Sequence, residues 1–353
     1  MRILGLFEMA RFGKMPAGER LLKIKQSSNF KDGAFQNQSV TPNFTGGATY
    51  TKVLKQVLFG RPKRSKPTDK ILSVKTDLLA LQPNENCLVW FGHSSYFMQV
   101  DGKRFLVDPV FSGSAAPFAF MTRAFNGTDR YVTDDMPFID YLLITHDHYD
   151  HLDYKTVQKL IPKVGTIITG LGTGEHLEHW GYDPARMIEM DWNQQIELEP
   201  GFSLYSVPGR HFSGRWFKRN QALWTSFVLQ TPGQKIFIGG DSGYDKHFAE
   251  IGNTFGGFDI AILENGQYNV YWNHIHLMPD EILQAAKDLK AKRILPVHSS
   301  KFALGPHEWD EPLKLITENN KTEKLNIITP MIGEKVNLDD PAQEFTKWWE
   351  GLM

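Results

Sequence analysis

The chain has 353 residues, enough for one large domain or two small ones with a substantial core. Its 39 Lys+Arg balance 40 Asp+Glu, so it lacks the basic excess that nucleic-acid binding calls for. The single cysteine, Cys87, excludes an internal disulfide, and no apolar run approaches the roughly 20 residues of a membrane span. Met1–Phe7 (MRILGLF), soon followed by Glu8 and Arg11, is too short for a signal peptide, so a cytoplasmic protein is expected.

Residues 1–83 read as an N-terminal extension ahead of the catalytic domain. Gln36–Gly47 is polar and turn-rich, and Tyr50–Phe59 places Val53, Leu54, Val57 and Leu58 at helical spacing. Gly60–Thr68 (GRPKRSKPT) is a basic linker broken by proline. Its Arg61, Lys63, Arg64 and Lys66 make either a solvated loop or a peripheral contact with anionic lipid headgroups. From Asn86 the texture changes to short strands. Cys87–Phe91 comes first, then Tyr96–Val100 and Arg104–Val107 flank an Asp101-Gly102 hairpin turn. Asp108 leaves that last strand either to support a metal-binding histidine or to cap a turn, and His93 has the same two readings. Phe111–Phe125 (FSGSAAPFAFMTRAF) is either satellite core or, with parts of the N-terminal extension, an apolar approach to a metal site.

Leu142–Ile144 reads as a buried strand running into Thr145-His146-Asp147-His148-Tyr149-Asp150-His151. One divalent ion rarely takes four ligands from six consecutive residues, so the crowding points to two ions sharing the loop. A solvated acidic turn with incidental histidines is the alternative. Lys155–Ile161 follows as a helix ended by Pro162, then a strand at Val164–Thr169, a short helix at Gly174–Trp180 and a strand at Met187–Met190. His176 and His179, beside Glu175 and Glu178, read as surface residues. A pattern then repeats. Phe202–Val207 is followed by His211, Lys235–Ile238 by Asp241 in a Gly-rich turn, and Arg293–Val297 by His298. Pro279–Lys290 lies between the last two as a helix, with Asp280 as N-cap. Strand-then-ligand occurs four times in all, and a sheet whose strand ends converge would gather these ligands at one rim.

The run His146-x-His148-x-Asp150-His151, with His211, Asp241 and His298, resembles the metallo-β-lactamase superfamily. The stretches Cys87–Pro109, Ile144–Asp153 (ITHDHYDHLD), Gly239–Tyr244 (GGDSGY) and Val297–Pro312 are similar to N-acylphosphatidylethanolamine-hydrolysing phospholipase D and its bacterial relatives. The likeness spans Asn86 to Ile316. It implies an α/β fold, a four-layer αββα sandwich with two sheets face to face and helices outside, over residues 84–338, with a tail at 339–353. It further implies that His146, His148 and His211 hold one divalent ion. Asp150, His151 and His298 would hold a second, with Asp241 bridging. Zn²⁺ is the expected ion, with Fe and Mn as alternatives. His276, in HIHLMPD, matches a histidine near the scissile group, which makes His276 and Asp150 the candidate catalytic residues. If that piece is extended, His274 and His276 face opposite ways. Ser299-Ser300-Lys301 and Glu264–Gln267 depart from the lipase pattern, the latter toward lactonase members.

Two divalent ions sharing a water bring its deprotonation near neutral pH and supply a bridging hydroxide as nucleophile. The expected substrate is a phospholipid or other phosphodiester or ester, met with or without membrane association, by a single chain or a homodimer. Two other readings stand beside it. One is a metal-dependent hydrolase of a lactone, ester or other phosphate. The other is a redox or non-catalytic protein on the same fold, and diiron relatives carry Glu where His148 stands.

Overall fold

The structure is a computed structural model, and it describes residues 10–215 and 217–353. Met1–Phe7, considered above as a leader, lies outside the described residues. A small hairpin of β1 (Phe30–Lys31) and β2 (Ala34–Phe35) belongs to the N-terminal segment. Two large sheets follow. The first contains β3 (Cys87–Trp90), β4 (Tyr96–Val100), β5 (Lys103–Val107), β6 (Ile139–Ile144), β7 (Val164–Gly170) and β8 (Met187–Met190) in that spatial order. The second contains β9 (Gln195–Glu199), β10 (Phe202–Val207), β11 (Ser226–Gln230), β12 (Lys235–Ile238), β13 (Ile260–Glu264) and β14 (Ile294–Val297). A last strand, β15 (Lys335–Asn337), returns to pair with β3 on the edge of the first sheet.

Alternation along each strand sends successive side chains to different cores. Phe105 and Val107 of β5 enter the core between the sheets, while Leu106 enters the core beneath the outer helices with Val157, Leu160 and Leu177. On the other side, Ile236 and Ile238 face the inter-sheet core, and Phe237 meets Phe248, Ile251, Ile282 and Leu283 of the flanking helices. Both faces are therefore covered, and the expected αββα sandwich is formed. Among the described residues no helix is long and apolar enough to cross a membrane.

Residues before 84 and after 338 pack against the sandwich. Ile24 and Phe35 pack with Trp192, Leu223 and Trp224, and Trp348 and Trp349 are buried in the inter-sheet core. These ends are built in because large apolar side chains leave water there, each gaining about 1.5–3 kcal/mol.

Strand direction positions the site. β3, β5 and β6 run one way in the first sheet, because β3–β4 and β4–β5 are antiparallel and β5–β6 is parallel. By the same logic β10, β12, β13 and β14 share one direction in the second. Each of these seven strands leads, at or just beyond its C-terminal end, to a residue of the site.

Candidate metal centre

The 145–151 loop is held from both sides. Asp108, just past β5, accepts hydrogen bonds from Thr145 N (2.8 Å) and Thr145 Oγ1 (2.6 Å), which fixes where β6 ends. Arg215 donates to the carbonyls of Asp147 (2.8 Å) and Leu152 (2.7 Å), and the Asp147 carboxylate accepts from Gly214 N (2.7 Å). His93, Asp108 and His298 have left-handed backbone, with φ of 55°, 42° and 65°. That conformation costs a non-glycine residue on the order of 1 kcal/mol, and it turns each chain sharply as it leaves its strand.

The loop then meets the opposite sheet. His146 Nε2 lies 2.9 Å from His148 Nδ1, and His211 Nε2 lies 3.3 Å from the same atom. On the other side, Asp150 Oδ2 is 3.5 Å from His151 Nε2 and 3.4 Å from His298 Nε2. Asp241 sits between the two sets. Its Oδ2 is 3.8 Å from His146, 3.7 Å from His211 and 3.2 Å from His298, while Oδ1 is 3.2 Å from His151. The structure thus brings together all seven residues expected as ligands.

The outer nitrogens show which ring atoms are free. His151 Nδ1 donates to Asp108 Oδ2 (2.8 Å) and His211 Nδ1 to the Ile275 carbonyl (2.8 Å), so both Nε2 atoms present lone pairs inward. His146 Nδ1 is 3.0 Å from Thr145 Oγ1, which itself donates to Asp108. Burial pushes His146 and His211 well below the ordinary imidazole range, and His148 down to about 4. Burial alone would raise the Asp241 and Asp150 carboxyls, but the adjacent His151 and other histidines hold both well below their usual range. Burial would also lower His298, yet Asp241, Asp150 and Glu264 push it up to about 10. Strong positive charge is therefore wanted at the centre. His148 Nε2, His151 Nε2 and Asp241 Oδ1 are buried without a hydrogen-bond partner, a condition proteins avoid unless something else satisfies the atoms. Imidazole nitrogens and carboxylate oxygens in this arrangement fit divalent metal ions.

Above the cluster is a cavity of about 300 Å³. His148, Asp150, His211, Asp241 and His298 form its floor, and Phe44, Phe212, Trp272, Ile275 and Leu304 form apolar walls. His276 lines it too, its Nδ1 donating to Glu264 Oε2 at 2.6 Å. The 272–276 segment is a series of turns rather than an extended piece, so the expected alternation of His274 and His276 does not apply. The segment is placed by Gly243, where a Cβ would overlap the His274 carbonyl.

Sequence reasoning left some participants open and missed others. His93 Nε2 lies 2.9 Å from Asp150 Oδ2, and Asp108 buttresses His151, which settles the two open readings in favour of support. Glu264 ends β13, accepts from Ser242 N (2.9 Å) and Leu277 N (2.9 Å), and orients His276. A charged residue closing an apolar strand was its only signal. The N-terminal segment does supply a wall, as expected, through residues the sequence did not single out: Asn37 and Thr41–Phe44, with Asn37 hydrogen-bonded to the His211 backbone.

Two expectations are corrected. His176 is buried rather than on the surface, between Lys14 N (3.0 Å) and Asp147 Oδ2 (3.3 Å), although His179 is exposed. Phe111–Phe125 does not wall the cavity. Phe111 N and Ser112 N bond to Thr156 (2.8 Å) and Asp153 (3.0 Å), which draws the loop outward to the 154–160 helix. Phe111 and Phe125 are core, while Phe120 and Met121 are exposed.

Comparison with known proteins agrees with this geometry. The model of the β-lactamase superfamily domain matches residues 103–299, more than half the chain, and the protein belongs to this family. It is a metal-dependent hydrolase of the metallo-β-lactamase fold. An uncharacterised protein of Mycobacterium tuberculosis is 33% identical over 329 residues, covering 92% of this chain and 88% of its own. N-acyl-phosphatidylethanolamine-hydrolysing phospholipase D 1 of Caenorhabditis elegans is 25% identical over 331 residues, covering 85% and 91%. The solved structure of Igni18, a metallo hydrolase from Ignicoccus hospitalis, superposes with a TM-score of 0.56 at 19% identity, covering 72% of this chain and 98% of that one.

Proposed function

We propose that this hydrolase holds two divalent metal ions and cleaves a phosphodiester carried on an apolar molecule, a phospholipid of the N-acylphosphatidylethanolamine type. One observation carries the reading: Asp241 is shared between two adjacent donor sets on the floor of an apolar-walled cavity. The relation to the nematode phospholipase D supports the substrate class. Zn²⁺ suits the donor set best, since imidazole with carboxylate is its usual company. When bound, the ions would supply Lewis acidity and a lowered water pKa.

The chain's own residues divide the remaining work. His146, His148 and His211 would hold one ion, Asp150, His151 and His298 the other, and Asp241 both. Asp150, beside the cavity, would accept a hydrogen bond from the nucleophile and orient it toward phosphorus. As the new P–O bond forms and the bond to the leaving alcohol breaks, His276 Nε2 passes a proton to the leaving oxygen. Glu264, bonded to Nδ1, fixes the ring so that Nε2 faces the cavity side. Arg219 also lines the cavity, its guanidinium 4.0 Å over the Phe212 ring, and has no carboxylate partner among the described residues. It is available to a phosphate oxygen.

The test is a panel of N-acylphospholipids, short-chain phosphodiesters, lactones and carboxylic esters, given to protein of known zinc content. Phosphodiester turnover that vanishes on chelation and returns with zinc is expected. Turnover confined to lactones or carboxylic esters refutes the phosphodiester assignment.

A further inference from the structure

The helix Tyr50–Phe59 (YTKVLKQVLF) is packed in an unusual sense. At 3.6 residues per turn, Tyr50 and Leu54 share one side, and Lys52 and Gln56 lie on the opposite one. In a surface helix the apolar side should face the body of the protein. Here Lys52 Nζ rests 4.9 Å over the Tyr271 ring and Gln56 Oε1 is buried, while Tyr50 is 71% exposed, Leu54 58% and Phe59 80%. Tyr50 and Leu54 are thus turned to solvent, and so is Phe59, which by the same spacing lies on the other side of the helix near its C-terminal end. Val40 (90%) and Val270 (59%) are exposed as well, and Thr45 ties the segment before the helix to residues 270–271 through hydrogen bonds to the Val270 and Tyr271 carbonyls.

This patch borders the cavity. Phe44 lines the cavity on one side and meets the Tyr50 ring edge-on at 4.8 Å on the other. The same stretch is acid-free: no Asp or Glu occurs between Asp32 and Asp69, where Lys52, Lys55, Arg61, Lys63, Arg64 and Lys66 all fall. Arg64 is taken by Glu308 (2.7 Å) and Asp310 (2.6 Å). Lys52, Lys55, Arg61, Lys63 and Lys66 have no carboxylate partner among the described residues. Arg61 donates to the Ala303 carbonyl at 3.4 Å.

We infer that the Tyr50–Phe59 helix and the cations following it form a face that docks on an anionic lipid bilayer and sets the cavity mouth against it. Exposed apolar residues flanked by unpaired cations are what a bilayer-docking helix presents, the apolar groups entering among acyl chains while the cations meet headgroups. A second copy of the chain fits less well, because a two-fold contact would oppose this cationic patch to itself. The physiological meaning rests on the phospholipid reading above, but docking is measured separately from hydrolysis.

The experiment is co-sedimentation of the full chain with phosphatidylcholine vesicles and with phosphatidylcholine–phosphatidylglycerol vesicles, across a salt series. Wild type is expected to bind the anionic vesicles, more weakly as salt rises. Leu54→Ser/Phe59→Ser and Lys55→Glu/Lys63→Glu should each weaken binding by roughly tenfold or more, with melting temperature and turnover of a short-chain soluble phosphodiester unchanged. Failure of wild type to bind, or equal binding by wild type and both variants, overturns the inference. So does a concentration-dependent dimer, dissolved by the same substitutions, in protein that ignores vesicles. Vesicle binding without phospholipid cleavage would instead refute the substrate assignment and leave the docking face standing.

Discussion

Replacing Asp108 by Asn changes no volume, yet it should weaken one of the two proposed ions. The carboxylate accepts three hydrogen bonds, from Thr145 N at 2.8 Å, Thr145 Oγ1 at 2.6 Å and His151 Nδ1 at 2.8 Å. Asparagine offers one oxygen, so at least one donor faces its amide NH₂. If that donor is His151 Nδ1–H, the ring proton moves to Nε2, the atom turned 3.2 Å from Asp241 and needed as a lone pair. A hydrogen bond to a charged group is worth about 1.5–3 kcal/mol. At about 1.4 kcal/mol per decade, that is roughly 10–150-fold in affinity. Loss of an outer partner of a ligating histidine commonly costs 10–100-fold, the same range. Competition of metal-free protein with a chromophoric zinc chelator measures the effect, with circular dichroism as the folding control. One ion should bind roughly 10–100-fold more weakly, with activity recovering at saturating zinc. A folded Asp108→Asn protein with wild-type affinity for both ions would show that the carboxylate does not orient His151.

Other outcomes follow from single contacts. His276→Ala should keep its metal and lose about 10²–10³-fold in kcat, the scale of one missing electrostatic group, whereas His211→Ala should lose metal and activity together. Gly243→Ala should lower kcat at full zinc occupancy, because its Cβ displaces the His274–His276 segment; an unchanged rate would show that the segment tolerates the shift. Burial lowers the Lys301 ammonium to about 8 from 10.5, so the charged form is penalised in the folded state. That penalty is complete below pH 8 and disappears as pH rises toward 10.5, so this residue makes stability increase with pH across that window. In urea melts, wild type should gain up to roughly 3 kcal/mol relative to Lys301→Met over the window; parallel curves would contradict this.

What the sequence made legible follows from how local each signal is. Lys235–Ile238 and Val164–Gly170 are short β-branched runs stopped by glycine, and both were read as strands nearly to the residue. The 145–151 loop was readable because its ligands are adjacent and begin where an apolar strand ends. Glu264 was not, since Ile260–Glu264 is buried on both faces and shows no alternation to mark it as a strand pointing at the site. His176 sits in a short helix beside two glutamates, which resembles a solvated face. Its burial comes from Asp147, 29 residues earlier, and from Lys14, 162 residues earlier. The cavity wall at Asn37 is likewise made by a contact with His211 across 174 residues, and no local pattern announces it. Phe111–Phe125 misled for a related reason: composition marked it as apolar, but hydrogen bonds to Asp153 and Thr156 decided which way it turned.

Metal stoichiometry on the purified full chain bears most directly on the shared-Asp241 centre. Metal-free protein titrated with zinc in a calorimeter, with elemental analysis of the saturated sample, should show two equivalents per chain. Asp241→Ala should impair both, because its carboxylate lies within 3.8 Å of nitrogens in each donor set. Saturation of the wild type at one equivalent, with full phosphodiester turnover, would contradict the dinuclear centre.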